Sequence, residues 1–175
     1  MIRGVHHTSF STNNLDAMVR FYRDLLGLPE VVSAGWGRGT EVADRVSGLR
    51  DSEAKVVILG AGNTFIEIFH YLNPAGAGRA PNRRACDVGV RHVCFDVIDI
   101  ESEYRRLLDA GVKFHCAPAQ FGSVKCTYGR DPDDNIFELQ EVVNAASPIH
   151  PSRLGRLPSS TTREGDASDL ASRGA

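Results

Sequence analysis

The sequence predicts an α+β fold made of two pseudo-symmetric βαβββ modules, and three observations carry that prediction. His7 and His92 each open an apolar, strand-like run, and each precedes the first residue of a helical stripe, Leu15 or Ile100, by the same interval. Gly27 and Gly111 each stop the amphipathic helix that follows. Each half then closes on a short strand carrying a carboxylate: FIEIF with Glu67, and IFELQ with Glu138. An internal repeat constrains the architecture before any local reading, because each copy is one unit that must bury its apolar face against another.

Residues 5–12 alternate weakly and read as a strand. Across 14–26, Leu15, Met18, Val19, Tyr22, Leu25 and Leu26 recur at helical spacing and form one apolar stripe. Asn14 is placed to cap that helix, and Asp16 falls in its first turn, where a carboxylate suits the helix dipole. Residues 28–33 read as a strand, the glycine-rich stretch with Trp36 as a loop, and 40–48 as a short helix. Strands at about 54–60 and 63–71 join at Gly60-Ala61-Gly62-Asn63. Residues 72–89 have almost no apolar periodicity and read as a linker.

The second half repeats the order. A strand over 91–97 leads to a helix over 99–110 and strands at about 112–116, 123–129 and 135–142. The turn before the last strand is Asp131-Pro132-Asp133-Asp134-Asn135, turn-forming throughout. The modules thus span about 4–71 and 90–143 inside a single domain of residues 1–145. Residues 146–175 are rich in Ser, Arg, Gly and Pro and are expected to form a disordered tail, since they bury too little apolar surface to offset ordering entropy.

Composition narrows the function classes. The 175 residues are 42% apolar, enough for a real core, and the net charge of −2 gives no electrostatic case for nucleic acid or a membrane surface. No apolar run approaches the ~18 residues that a membrane span needs. The opening MIRGVHH lacks an apolar signal stretch, so a cytoplasmic address is expected. Cys86, Cys94, Cys116 and Cys126 are scattered without a CxxC motif and read as reduced thiols that serve packing.

Strand parity assembles a candidate site. Side chains alternate faces along a strand. With Thr8, Phe10, Ile66, Ile68, Val93, Phe95, Val97, Phe137 and Leu139 turned to the helices, His7, Glu67, His92 and Glu138 all fall on the opposite face. Ser9, Ser11, Phe69, Tyr71, Cys94, Asp96 and Gln140 share that face and are the expected substrate-binding residues. Two imidazoles and two carboxylates related by a pseudo-twofold axis can enclose one divalent metal ion. His6 is the rival to His7, but only His7 matches the register of His92.

Four stretches carry a family resemblance: VHHTSFSTNNLDAMVRFYRDLLGL, NTFIEIFHY, GVRHVCFDVIDIESEYRRLLDAGVKF and GRDPDDNIFELQE. Through them the chain resembles the vicinal-oxygen-chelate superfamily, which includes lactoylglutathione lyase, methylmalonyl-CoA epimerase, extradiol dioxygenases and bleomycin- or fosfomycin-resistance proteins. The resemblance implies a curved mixed sheet around a metal-binding cup, and it carries the family's ligands over to His7, Glu67, His92 and Glu138. Asp134 stands where the family usually has Gly, and Asp tolerates the left-handed backbone better than most residues.

The resemblance also implies a chemistry. A divalent ion (Ni, Co, Mn, Zn or Fe) would hold two substrate oxygens and stabilise an enediolate when a neighbouring C–H proton leaves. Glu138 and Glu67 would be the catalytic pair, one removing the proton and the other returning it. The expected activity is therefore that of a metal-dependent lyase or isomerase/epimerase. The alternatives are an extradiol-type ring-cleaving dioxygenase and a small-molecule binding or resistance protein. Glutathione is not the expected substrate, because Ser11 and Tyr71 occupy the positions where bacterial lactoylglutathione lyases usually have Arg and Asn. Arg38, Arg79, Arg83 and Arg84 are candidate contacts for a carboxylate or phosphate tail. A homodimer is expected, with pairing of modules protecting open sheet edges.

Overall fold

The computed structural model describes residues 2–78 and 82–154. The first module comprises β1 (His7–Ser11), α1 (Leu15–Val19), β2 (Glu30–Trp36), α2 (Glu41–Ser47), β3 (Glu53–Ala61) and β4 (Thr64–Asn73). The second comprises β5 (His92–Asp96), α3 (Ile100–Asp109), β6 (Lys113–Phe114), β7 (Ala119–Phe121), β8 (Val124–Arg130) and β9 (Ile136–Val142). The internal repeat is visible in the pairing: β1 runs parallel to β4, and β5 runs parallel to β9. The sheet orders are β1-β4-β3-β2 and β5-β9-β8-β6, with β7 attached to β8. The strands thus form two hydrogen-bonded mixed sheets rather than one continuous sheet. β1 and β5 end their own sheets, and a cleft lined by both lies between them.

Local chemistry explains most boundaries. The Asn14 side chain caps α1 by accepting from the Ala17 N–H at 3.2 Å. The expected regular helix over 14–26 instead passes into a π-helical segment, Arg20–Leu25, in which the Leu26 N–H donates to the Phe21 carbonyl at 2.9 Å. The widened turn keeps the sequence neighbours Phe21 and Tyr22 both in the core. Strand β2 runs on to Trp36, a residue expected in a loop. Gly35 accounts for this: a Cβ there would collide with the Ala54 carbonyl, so the glycine marks close approach of β2 to β3 and not a turn. The strand expected over about 112–116 is shorter, at β6, although the His115 N–H still donates to the Tyr128 carbonyl at 2.8 Å, and β7 after Pro118 was not expected.

The first residues of the expected tail are built into the fold. Ser147 is buried, its hydroxyl lies 3.1 Å from that of Ser123, and its carbonyl accepts from Arg153 at 3.0 Å, next to a 3₁₀ turn at Pro151–Arg153. The expectation of disorder for 155–175 falls outside the described residues, as does Arg79.

Both modules share one core. Met18 and Tyr22 from the α1 segment, Ile66 and Ile68 from β4, Ile100 and Leu107 from α3, and Phe137 and Leu139 from β9 are essentially fully buried in one cluster. Phe21 meets Phe137 edge-on at 5.5 Å. Truncating a ring such as Phe137 to alanine would cost about 3–5 kcal/mol. A polar tie lies beside these rings: the Tyr22 hydroxyl donates to Asp131 Oδ2 at 2.9 Å, across the two modules. Asp131 also accepts from Asn135 N at 2.8 Å, Asn135 Nδ2 at 2.7 Å and Asp133 N at 3.0 Å. Burial pushes the Asp131 carboxyl up, and these hydrogen bonds act against that shift. Asp134, in the same turn, is left-handed with φ 62°. Among the described residues no helix is long and apolar enough to cross a membrane.

Candidate functional site

The strands deliver the four candidate ligands as parity predicts. His7, Ser9 and Ser11 are exposed along β1 while Thr8 and Phe10 are half-buried, and β5 repeats this with His92, Cys94 and Asp96 exposed. The parallel registers put Ser9 opposite Glu67 and Cys94 opposite Glu138, so each histidine starts its strand beside the strand bearing its glutamate. His7 Nε2 lies 3.3 Å from Glu67 Oε2, and His92 Nε2 lies 3.1 Å from Glu138 Oε2. The glutamates are the more buried partners, at 16% and 12% side-chain exposure against 43% and 34% for the histidines.

These spacings fit a pair of metal donors. Two donor atoms at about 2.1 Å from one cation stand about 3.0 Å apart at a right angle and about 3.4 Å apart at a tetrahedral angle. Both His–Glu pairs fall within that interval, and each offers one imidazole nitrogen and one carboxylate oxygen. The structure brings His7 to Glu67 and His92 to Glu138. Among the described residues no three of His, Cys, Asp and Glu gather in one metal-holding cluster, so within one chain the candidates form two half-sites.

His6 has a different place from the rival ligand that its position suggests. Its Nδ1 sits 3.0 Å from His7 Nδ1, and its ring lies 5.1 Å from that of Phe65. A partner on the second ring nitrogen orients a histidine and fixes which nitrogen faces the ligand side.

The linings of the half-sites differ. Along β4, Phe69 and Tyr71 stack at 5.5 Å, and Trp36 meets both edge-on at 5.9 and 6.0 Å. Val56 pairs with Phe69, Ile58 pairs with Glu67, and Val56 is buried, so the surface around Glu67 is aromatic and aliphatic. Sequence reading placed Phe69 and Tyr71 there and missed Trp36. The loop and α2 hold Trp36 in place: its Nε1 donates to the buried Ser52 Oγ at 2.9 Å, and Asp44 accepts from the N–H groups of Ser52 and Asp51, each at 2.7 Å. The Ser52 side chain first, and then the N–H groups of Ser52 and Asp51, hold the Asp44 carboxyl below its usual range, against its desolvation.

Around Glu138 the surface is polar and sulfur-rich. Register places Tyr128 opposite Glu138 and Cys126 opposite Gln140. The Tyr128 ring lies 5.1 Å from the His92 ring, a contact that alternation along β8 could have disclosed once β8 was paired with β9. The Cys94 thiol is pushed up to about 12, first by burial and then by the charge and hydrogen bond of Glu138. Burial and the same carboxylate push Cys126 and Tyr128 up as well. Asp96 is raised by burial, with His150 opposing the shift. Gln140 and Asp96 pair across β5 and β9. Of the arginines considered as tail contacts, Arg38 is engaged by Asp51 at 3.4 Å and Glu53 at 3.8 Å, and Arg84 by Asp87 at 3.2 Å.

Comparisons with known proteins identify the family and the fold. The family profile described as Glyoxalase/Bleomycin resistance protein/Dioxygenase superfamily covers residues 4–139. The biphenyl-2,3-diol 1,2-dioxygenase 3 of Rhodococcus globerulus is 30% identical over 145 residues, covering 81% of this chain and 64% of that protein. The chain therefore spans just under two thirds of that relative's length. A glyoxalase family protein from Bacillus cereus shares the fold with a TM-score of 0.72 at 23% identity, covering 82% of this chain and 96% of the other. A lactoylglutathione lyase from Agrobacterium tumefaciens does so at 0.51 and 23% identity, covering 79% and 92%. With the repeat, the paired parallel strands and the family match in agreement, the chain belongs to the glyoxalase/bleomycin resistance protein/dioxygenase superfamily, the vicinal-oxygen-chelate fold.

Proposed function

We propose that the protein is a divalent-metal-dependent lyase or isomerase/epimerase of the glyoxalase type, acting on a small oxygen-chelating substrate. The observation behind this reading is the duplicated pair: a histidine Nε2 facing a glutamate Oε2 at 3.3 Å in one module and 3.1 Å in the other. His7, Glu67, His92 and Glu138 would hold the ion. When bound, such an ion would supply Lewis-acid stabilisation of the negative charge that develops on the substrate oxygens. We assign the complete ligand set to a homodimer, with the first half-site from one copy and the second from the other.

Within that frame the chain's own residues divide the work. Glu138 takes the proton from the substrate carbon and a protonated Glu67 returns one from the other side, each through the carboxylate oxygen not turned to its histidine. Glu138 suits the first role because it is nearly buried, at 12% side-chain exposure, which limits competition from water. His6 holds the His7 ring. Trp36, Phe69 and Tyr71 take the apolar body of the substrate, and Ser9, Ser11, Asp96 and Gln140 offer hydrogen bonds at the rim.

A ring-cleaving dioxygenase is the second reading, favoured by the 30% identical dioxygenase from Rhodococcus globerulus. One experiment separates the two. The purified protein, loaded in turn with Ni²⁺, Co²⁺, Mn²⁺, Zn²⁺ and Fe²⁺, is offered α-hydroxy ketones, acyl-CoA epimers and catechols in D₂O under controlled oxygen. Deuterium at the substrate's α-carbon without oxygen uptake supports the lyase or isomerase reading. Oxygen uptake on catechols without deuterium incorporation replaces it with the dioxygenase.

A further inference from the structure

A cleft of about 250 Å³ lies between β1 and β5, bounded by Ser9 and Ser11 on one side and by His92 on the other, and two half-buried arginines, Arg83 and Arg91, line it. Their surroundings are unlike those of the neighbouring arginines. Arg84 is held by Asp87, and Arg130 pairs with Asp134 at 3.5 Å. Asp87, whose carboxyl is also lowered by the more distant charge of Arg83, makes its direct contact with Arg84, and among the described residues neither Arg83 nor Arg91 stands within ion-pair distance of a carboxylate. Each instead turns to a backbone carbonyl of the same loop: Arg83 Nη2 to Val88 at 3.4 Å and Arg91 Nε to Gly89 at 3.3 Å. Gly89 has φ 124°, and a Cβ there would stand 3.0 Å from Arg91 Nη2, so the glycine leaves room for the guanidinium. Two guanidinium side chains that line one concave surface, neither in ion-pair contact with a carboxylate among the described residues, offer charge to a bound anion.

We propose that this cleft binds an anionic group of the substrate, a carboxylate or a phosphoryl group, through the Arg83 and Arg91 guanidiniums. His92 forms one wall of the cleft, so the anion lies next to the second half-site, and the substrate is an acid or a phosphate ester whose chelating oxygens sit a short distance from its charge. This deepens the proposed function by naming the substrate's charge, and it rests on that reading only for where the reacting end lies. The planar guanidinium fork matches the geometry of both anions, which a lysine would not reproduce.

Calorimetric titration of the full chain with inorganic phosphate and, separately, with propionate tests the proposal, before and after chelator treatment. Saturable binding of either anion is expected to survive removal of metal. It is expected to weaken at least tenfold in Arg83→Gln and in Arg91→Gln, to vanish in the double variant, to be partly kept in Arg91→Lys, and to be unchanged in Glu67→Gln. Binding of phosphate alone marks a phosphoryl substrate, and binding of propionate alone marks a carboxylate. If Arg83→Gln melts early, Arg91→Gln decides alone, since its side chain bonds only the Gly89 carbonyl among the described residues. Absence of binding by the wild type to either anion, or wild-type affinity in the double variant, overturns the proposal. Loss of metal binding with the anion site intact would instead sink the metal reading and leave the subsite standing.

Discussion

The two modules carry the same His–Glu pair on the same two parallel strands, yet the surfaces around the pairs have diverged. Beside Glu67 stand Trp36, Phe69 and Tyr71, with Val56 and Ile58 across from Phe69 and Glu67 on β3. Beside Glu138 stand Cys94, Cys126, Tyr128 and Gln140, and the arginine cleft opens next to His92. The backbone repeat supplies the His–Glu pairs, while the linings are free to specialise. In the proposed account the first module holds the apolar body of a substrate and the second handles charge and the proton.

The sharpest test of that division compares the carboxylates. Glu138→Gln is expected to lower kcat by roughly 10²-fold or more, the size of a lost general base, and Glu67→Gln to lower it less. Solvent deuterium incorporation at the substrate α-carbon is the readout, and equal losses in the two variants would make the halves functionally equivalent. The aromatic half is expected to answer differently. Trp36→Ala should raise KM roughly tenfold with little change in kcat, the mark of lost uniform binding. Asp44→Ala, which releases the segment holding Ser52 beneath Trp36, should shift KM in the same direction by less. A fall in kcat without a KM change would remove the aromatic wall from substrate binding.

The seam between modules responds in stability. Tyr22→Phe deletes the hydrogen bond to Asp131 and should cost about 1–2 kcal/mol, or about 2–8 °C in Tm, by thermal unfolding. The smallest effect is a pH drift. The folded Asp131 carboxyl is raised by burial, so its contribution to stability is fully present below its ordinary value of 3.8 and is lost as pH rises through the raised value. The Tm of Asp131→Asn relative to the wild type should therefore improve as pH climbs above about 4 and then level off. A Tm difference independent of pH would contradict the buried-carboxylate picture.

Much of this was legible in the sequence because it depends on local periods. Alternation along a strand put His7, Glu67, His92 and Glu138 on one kind of face, the Asn14 cap marked a helix start, and Gly62–Asn63 marked the tight turn between β3 and β4. What escaped depends on approach between distant segments. Gly35 read as a loop residue because nothing local discloses that the Ala54 carbonyl fills the space of its Cβ, and Trp36 was lost to the site with it. The π-helical turn follows from packing both Phe21 and Tyr22 between two modules, which no single helical stripe encodes. The split into two sheets and two half-sites is likewise a matter of module placement, to which strand parity is blind.

The claim that the half-sites together hold one metal, shared between two copies, is tested most directly by complementation. One variant, His7→Ala with Glu67→Ala, lacks the first half-site, and another, His92→Ala with Glu138→Ala, lacks the second. Each is expected to purify as a folded protein without bound metal. Co-expressed, they should regain roughly a quarter of the wild-type metal content, since random pairing makes half the dimers mixed and each mixed dimer rebuilds one of two sites. Metal that stays absent from the mixed preparation, or full metal in either variant alone, would contradict the account.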